Sequence, residues 1–213
     1  MNVRRLLMSF AVLGICLSAP ASAGAHRLDE YLQATRLSLD IERVGLEVDL
    51  TAGTGVASDV LAWIDTNGDG LISDAEGDAY ARQMLRSVVL SVDGRPVPIT
   101  LDEVHFPAFH EMSLGVGIIR VRATAKVPAA GAGRHHVSYV NTHRSESSVY
   151  LVNALVPSDP RIQIAAQRRD SAQHGLMLDY DVMADASWAR TCVLLAGLAM
   201  AGVLGMTRRP RPN

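Results

Sequence analysis

The stretch Leu37–Leu50 reads LSLDIERVGLEVDL, and its alternation decides the fold class. Leu37, Leu39 and Ile41 alternate with Ser38, Asp40 and Glu42. Beyond Arg43 the apolar set moves to Val44, Leu46, Val48 and Leu50, with Glu47 and Asp49 between them. Side chains on a strand point to opposite faces in turn, so period two marks a half-buried strand. The parity change across Glu42-Arg43 is what a tight hairpin produces when both strands must keep one apolar face.

Similar signals recur downstream. Val88, Leu90 and Val92 lead to an Asp93-Gly94 turn, after which Val97, Ile99 and Leu101 read as a continuing strand. Val121, Ala123, Ala125 and Val127 alternate with Arg120, Arg122, Thr124 and Lys126, and a loop at Gly131–Gly133 precedes Val137 and Tyr139. The run Val149–Val156 is apolar on both faces apart from Asn153, which reads as a central strand. Ile162 and Ile164, then Leu176, Leu178, Tyr180 and Val182, complete eight or nine strands. The expected fold is mainly β, an antiparallel β-sandwich or partial barrel.

One segment breaks the pattern. From Val56 to Leu85 the chain reads as helix, polar loop, helix, inserted between strands. Ser58 is placed to cap the first helix, and Val60, Leu61 and Ile64 supply its apolar stripe. The intervening Asp65–Glu76, DTNGDGLISDAE, resembles the EF-hand calcium loop. Asp65, Asn67 and Asp69 hold positions one, three and five, where alternate side chains on a curling loop turn their oxygens inward. Gly70 takes the sharp turn at position six. Leu71 offers a backbone carbonyl, Ser73 binds directly or through water, and Glu76 opens the exit helix with two carboxylate oxygens. Hard oxygen donors in this number favour Ca2+ over Mg2+. EF-hands usually pair through position eight, which is Ile72 here, and the chain has no second loop. Either Ile72 packs on the β domain or another molecule supplies the partner. Three acidic ligands without a paired loop suit weak binding, ~10⁻⁴ to 10⁻³ M.

Charge and the two ends place the domain. Residues 26–185 hold all 22 acidic residues against 14 basic ones, a net −8 with His neutral. Such a domain repels nucleic acid and suits cations. Arg4-Arg5, the apolar Leu6–Leu17 run and the small residues up to Ala25 read as a signal peptide over 1–25, cut after Ala23 or Ala25. The expected layout continues with an extracytoplasmic domain over 26–184, a linker over 185–190, a single membrane span over 191–207 and a cytoplasmic tail over 208–213. Residues 191–207 carry no charge, and Arg208, Arg209 and Arg211 follow them. The two cysteines, Cys16 and Cys192, fall in leader and span, so the domain between has no disulfide.

No motif of nucleophile, phosphate loop or paired cysteines is present, and His110-Glu111 lacks the second histidine of a zinc protease, so no enzyme is expected. The seven histidines read as ordinary surface or core residues. An alternative function remains open, in which a new N-terminal His26 chelates a transition metal (nickel, cobalt or copper), with His135 and His143 as further donors. Ala25-His26, the leading hairpin, the EF-hand-like insertion and a β domain before a membrane segment resemble the extracytoplasmic domain of bacterial nickel/cobalt permease-like membrane proteins, the hydrogenase and urease accessory type. That resemblance implies metal handling beside a membrane permease as protein partner. The EF-hand resemblance implies a calcium-binding, membrane-anchored structural or interaction module.

Overall fold

The computed structural model describes residues 29–184. The leader, His26, the linker, the span and the tail lie outside the described residues. Among the described residues no helix is long and apolar enough to cross a membrane.

The leading hairpin forms as the alternation requires. Strand β1 (Tyr31–Leu39) pairs antiparallel with β2 (Arg43–Ala52), with Leu39 opposite Val44 and Leu37 opposite Leu46. The turn spans Asp40–Arg43, where the Asp40 N–H donates to the Arg43 carbonyl at 2.9 Å, so Ile41 belongs to the turn. The chain then forms α1 (Ala57–Ile64) and α2 (Asp74–Leu85) before re-entering the β structure. β3 (Val88–Val92) and the two-residue β4 (Arg95–Pro96) follow, then β5 (Thr100–His105), the short helix α3 (Phe109–Ser113) and β6 (Ile119–Lys126). β7 (Gly133–Asn141), β8 (Ser148–Ala154), β9 (Ile162–Arg169) and β10 (Gly175–Val182) close the fold.

The ten strands make two five-stranded sheets in a sandwich-like arrangement, ordered β5-β6-β2-β1-β8 and β4-β3-β7-β10-β9. The inner faces of β1 and β7 meet in step. Thr35 Oγ1 lies 2.8 Å from the Tyr139 hydroxyl, Asn141 Nδ2 donates to Gln33 Oε1 at 2.9 Å, and the Tyr31 and His143 rings are 6.5 Å apart. The sandwich therefore has two distinct ends. Tyr31, the β2–α1–α2–β3 connection and the loop after Asn141 lie at one. The Asp40–Arg43 turn, the β6–β7 and β8–β9 connections and the close of β10 at Val182 lie at the other, since Val182 pairs with both Gly133 and Ile162.

Several expectations need correction. The sheets are not wholly antiparallel, because β1 and β8 run parallel. Val149–Val156 is not central: β8 is the outermost strand of its sheet. Tyr150 and Val152 face the core, whereas Val149 and Leu151 are 38% and 41% exposed. Unpaired edges invite pairing with other chains, and Arg169 covers part of this one by donating from Nε to the Val152 carbonyl at 2.5 Å and from its terminal nitrogen to Asn153 Oδ1. Val97, Ile99 and Leu101 do not continue one strand. Pro96 and Pro98 have no N–H for a ladder, so the chain leaves β4 and crosses to the edge of the other sheet as β5. Ser58 does not cap α1. The helix begins at Ala57 behind Val56, two residues ahead of where a Ser58 cap would start it, with no side-chain cap and with the Val56 N–H donating to the Gly53 carbonyl.

Candidate metal centre

The two helices flanking Asp65–Glu76 are held by their inner faces. Ala57, Val60, Leu61 and Ile64 of α1 are buried, as are Gly77, Tyr80, Ala81, Met84 and Leu85 of α2. Gly77 allows α2 its close approach to β5, since a Cβ there would stand 2.7 Å from the Phe106 ring. Ile72 packs against the same core, which answers where position eight goes in a chain with one loop.

Between the helices the loop curls around its own carboxylates. Asp65 accepts from the Gly68 and Asp69 N–H groups on Oδ1, at 2.8 and 3.2 Å, and from Gly70 on Oδ2 at 2.9 Å. Gly70 has φ +77°, a left-handed value at which a side chain is strained. Asn67 Oδ1 accepts from the Asp69 N–H, and Asp69 Oδ1 from that of Leu71, both at 2.9 Å. Asn67 Nδ2 donates to Asp69 Oδ2 at 3.1 Å. Glu76 reaches back over the loop. Its Oε1 accepts from Thr66 N–H and Oγ1 and from the Asn67 N–H, and its Oε2 from Ser73 N–H and Oγ. The Leu71 side chain points to solvent.

The donor chemistry fits a hard divalent cation. Asp65, Asn67, Asp69, Ser73 and Glu76 all offer oxygens, and the Leu71 backbone carbonyl is available as a sixth donor. The carboxylates are engaged with the loop's own donors, and no three His, Cys, Asp or Glu side chains among the described residues are grouped as a metal cluster. A cation would therefore have to draw Asp65, Asp69 and Glu76 together in exchange for some of these hydrogen bonds.

Ser73 has a role beyond the position-nine ligand read from the sequence. It caps α2, accepting the Glu76 N–H on Oγ while the Glu76 carboxylate accepts the Ser73 N–H. Ser73-x-x-Glu76 is the capping-box spacing, legible in the sequence but absorbed there into the calcium motif. Ser73→Ala should cost about 1 kcal/mol of stability in chelator, measured by urea unfolding. The Ser73 hydroxyl and N–H, then the Thr66 and Asn67 N–H groups, pull the Glu76 carboxyl down to about 2 from 4.5. A depressed carboxyl stabilises the fold fully above pH 4.5, and that contribution is lost as pH falls toward 2.

Each helix also brings one aromatic ring to a cluster the sequence did not reveal. Trp63, two residues before the loop, lies edge-on to Tyr31 at 6.3 Å and carries the Arg144 guanidinium 4.0 Å over its ring. Tyr80, one helical turn after Glu76, sets its hydroxyl 2.6 Å from that of Tyr31 and 3.2 Å from His143 Nε2. Gln33 donates to the His143 carbonyl and to Ser148 Oγ, both at 2.7 Å, and the Tyr150 hydroxyl donates to the same carbonyl at 2.8 Å. Strand alternation found the apolar inner positions but not the polar Gln33 and Thr35 that share the same row.

His135 and His143 are not brought together, and His26 lies outside the described residues. His135 sits at the start of β7 and His143 two residues past its end. At ~3.3 Å per residue the separation is about 26 Å. His135 has both ring nitrogens engaged, Nδ1 with Asp93 and Nε2 with the Gly131 carbonyl, each at 2.8 Å.

The fold and site define a mainly β, sandwich-like domain with an acidic helix–loop–helix insertion at one end. No family model, curated protein or solved structure matches the chain.

Proposed function

We propose that this chain is a calcium-binding extracytoplasmic module tethered to a membrane, with Asp65–Glu76 as the cation site. The observation that carries this reading is the loop itself. It carries oxygen donors at the EF-hand spacing between two helices whose inner faces are buried in the β core, and its own N–H groups hold Asp65 and Glu76 against the turn. When bound, the cation supplies a positive centre for Asp65, Asp69 and Glu76. Because Ile72 and both helices dock on the chain's own core, binding stiffens one end of the sandwich in place of opening a groove. No observation favours the transition-metal alternative, which would rest on His26.

A thermal melt of residues 26–187 with calcium, magnesium, nickel or chelator tests this. A ligand at tenfold its Kd that binds only the native state adds about 1.4 kcal/mol. The expected result is a rise of a few degrees with calcium alone, abolished in Asp65→Ala and in Glu76→Gln. An undiminished calcium shift in both variants would place the site elsewhere, and a larger shift with nickel would favour transition-metal handling.

A further inference from the structure

The described fold ends at Ala184, at the end of the sandwich opposite the acidic loop. Val182 closes β10 against Gly133 and Ile162, and the Met183 N–H donates to the Arg161 carbonyl at 2.8 Å, which ties the departing chain to the β8–β9 connection. That connection and the departing chain expose apolar side chains. Val156 is 92% exposed, Leu155 39% and Met183 46%. Isolated exposed apolar residues are ordinary, and the opposite end exposes Leu71, Leu114 and Val116; what distinguishes these three is that they lie beside the point where the chain leaves. Most of the charges nearby are paired locally, Arg43 with Asp40 at 3.0 Å, Arg134 with Asp181 at 2.7 Å and Arg161 with Asp159 at 2.7 Å, while Glu42 and Lys126 at the same end are exposed.

The chain beyond this point says what covers that surface. Six residues, 185–190, separate Ala184 from the uncharged stretch 191–207. Fully extended they reach about 20 Å, so on the reading that 191–207 spans a bilayer this end is held close above the lipid. The acidic loop lies at the far end, about 26 Å away along β1 at ~3.3 Å per residue over the eight steps from Tyr31 to Leu39.

We infer that the Leu155–Val156 tip and Met183 form a membrane-docking surface that seats the sandwich end-on upon the phospholipid interface, with the acidic loop turned outward. This rests on the anchored reading above. The partner is the bilayer surface, contacted by apolar side chains that enter the headgroup region. Seated this way, the domain presents its cation loop to the extracytoplasmic solution, away from the anionic headgroups that would compete for a divalent ion.

The test uses the full chain, with Cys16→Ala and Cys192→Ala, reconstituted in vesicles of mixed zwitterionic and anionic phospholipid. Single cysteines at Val156→Cys, Leu71→Cys and Ala199→Cys carry a nitroxide, and collision with oxygen, which concentrates in lipid, is compared with collision with a water-soluble nickel chelate. The expected result is oxygen-dominated relaxation at 156 and 199 and nickel-dominated relaxation at 71, a reversal of several-fold between the two ends. Nickel-dominated relaxation at 156 with oxygen dominance at 199 overturns the docking and leaves the anchor standing. Nickel dominance at both overturns both. Low collision with either reagent at 156 shows burial against protein, which also overturns the inference.

Discussion

Replacing Tyr80 with alanine is expected to cost about 3–5 kcal/mol, the range for deleting a large buried aromatic. For a domain of this size that lowers Tm by roughly 10 °C or more. The ring is 2% exposed and lies edge-on to Phe106 at 6.3 Å and to His143 at 5.6 Å. Removal leaves a cavity beneath α2 and strands the Tyr31 hydroxyl, whose residue is fully buried. Burial holds the Tyr80 phenol neutral, raising its pKa to about 12, and raises that of Tyr31 as well, so both remain hydrogen-bonding groups throughout the neutral range. Tyr80→Phe separates the two losses. It keeps the ring, takes the hydroxyl partner from Tyr31 and from His143 Nε2, and should cost about 1–3 kcal/mol. Denaturant unfolding in chelator checks both. Equal losses in the two variants would mean that the hydroxyl pair, and not packing, holds α2 to the sheets.

The second large effect is acid sensitivity through His143. Burial, then the neighbouring Arg144 charge, pushes its imidazole down to about 4 from 6.5, with Glu146 opposing weakly. The groups facing it are the neutral Tyr80 and Tyr31 phenols. The folded value lies below the unfolded one, so between pH 6.5 and about 4 the unfolded chain takes up a proton that the native protein refuses. Stability is full above pH 6.5 and falls through that window by on the order of 3 kcal/mol. His135 works in the opposite sense. Its Asp93 partner raises its pKa, so its contribution is full below 6.5 and is lost as pH rises through the folded value. His143→Phe should flatten the fall between pH 6.5 and 4. An unchanged slope in that variant would assign the acid sensitivity to another group.

These two residues also show where sequence reading stops. The hairpin register, the buried rows of β2, β6 and β10, and the helix–loop–helix insertion were all legible, because period two and period 3.6 follow from backbone geometry alone. The oxygen donors of Asp65–Glu76 were legible for a similar reason, since consecutive residues on one curled loop need no distant partner to meet. Gln33, Thr35, Tyr31, Tyr80 and His143 were not legible as a group. They lie on β1, α2 and the β7–β8 connection, and polar residues on a strand's inner face give no periodic signal until their partners across the sandwich are known.

Periodicity and spacing along the chain were enough to show that it is mainly β, that residues 56–85 interrupt the strands with a helical hairpin, and which oxygen donors that hairpin's loop carries. It took the packed fold to show that β8 lies on an edge and not in the centre of a sheet, that Ile72 docks on its own core, and that the loop and the departing chain occupy opposite ends. A strand's composition records what its two faces touch, whereas its place in a sheet depends on which other strands compete for its edges. That competition involves residues more than a hundred positions apart, such as Tyr31 beside Ser148.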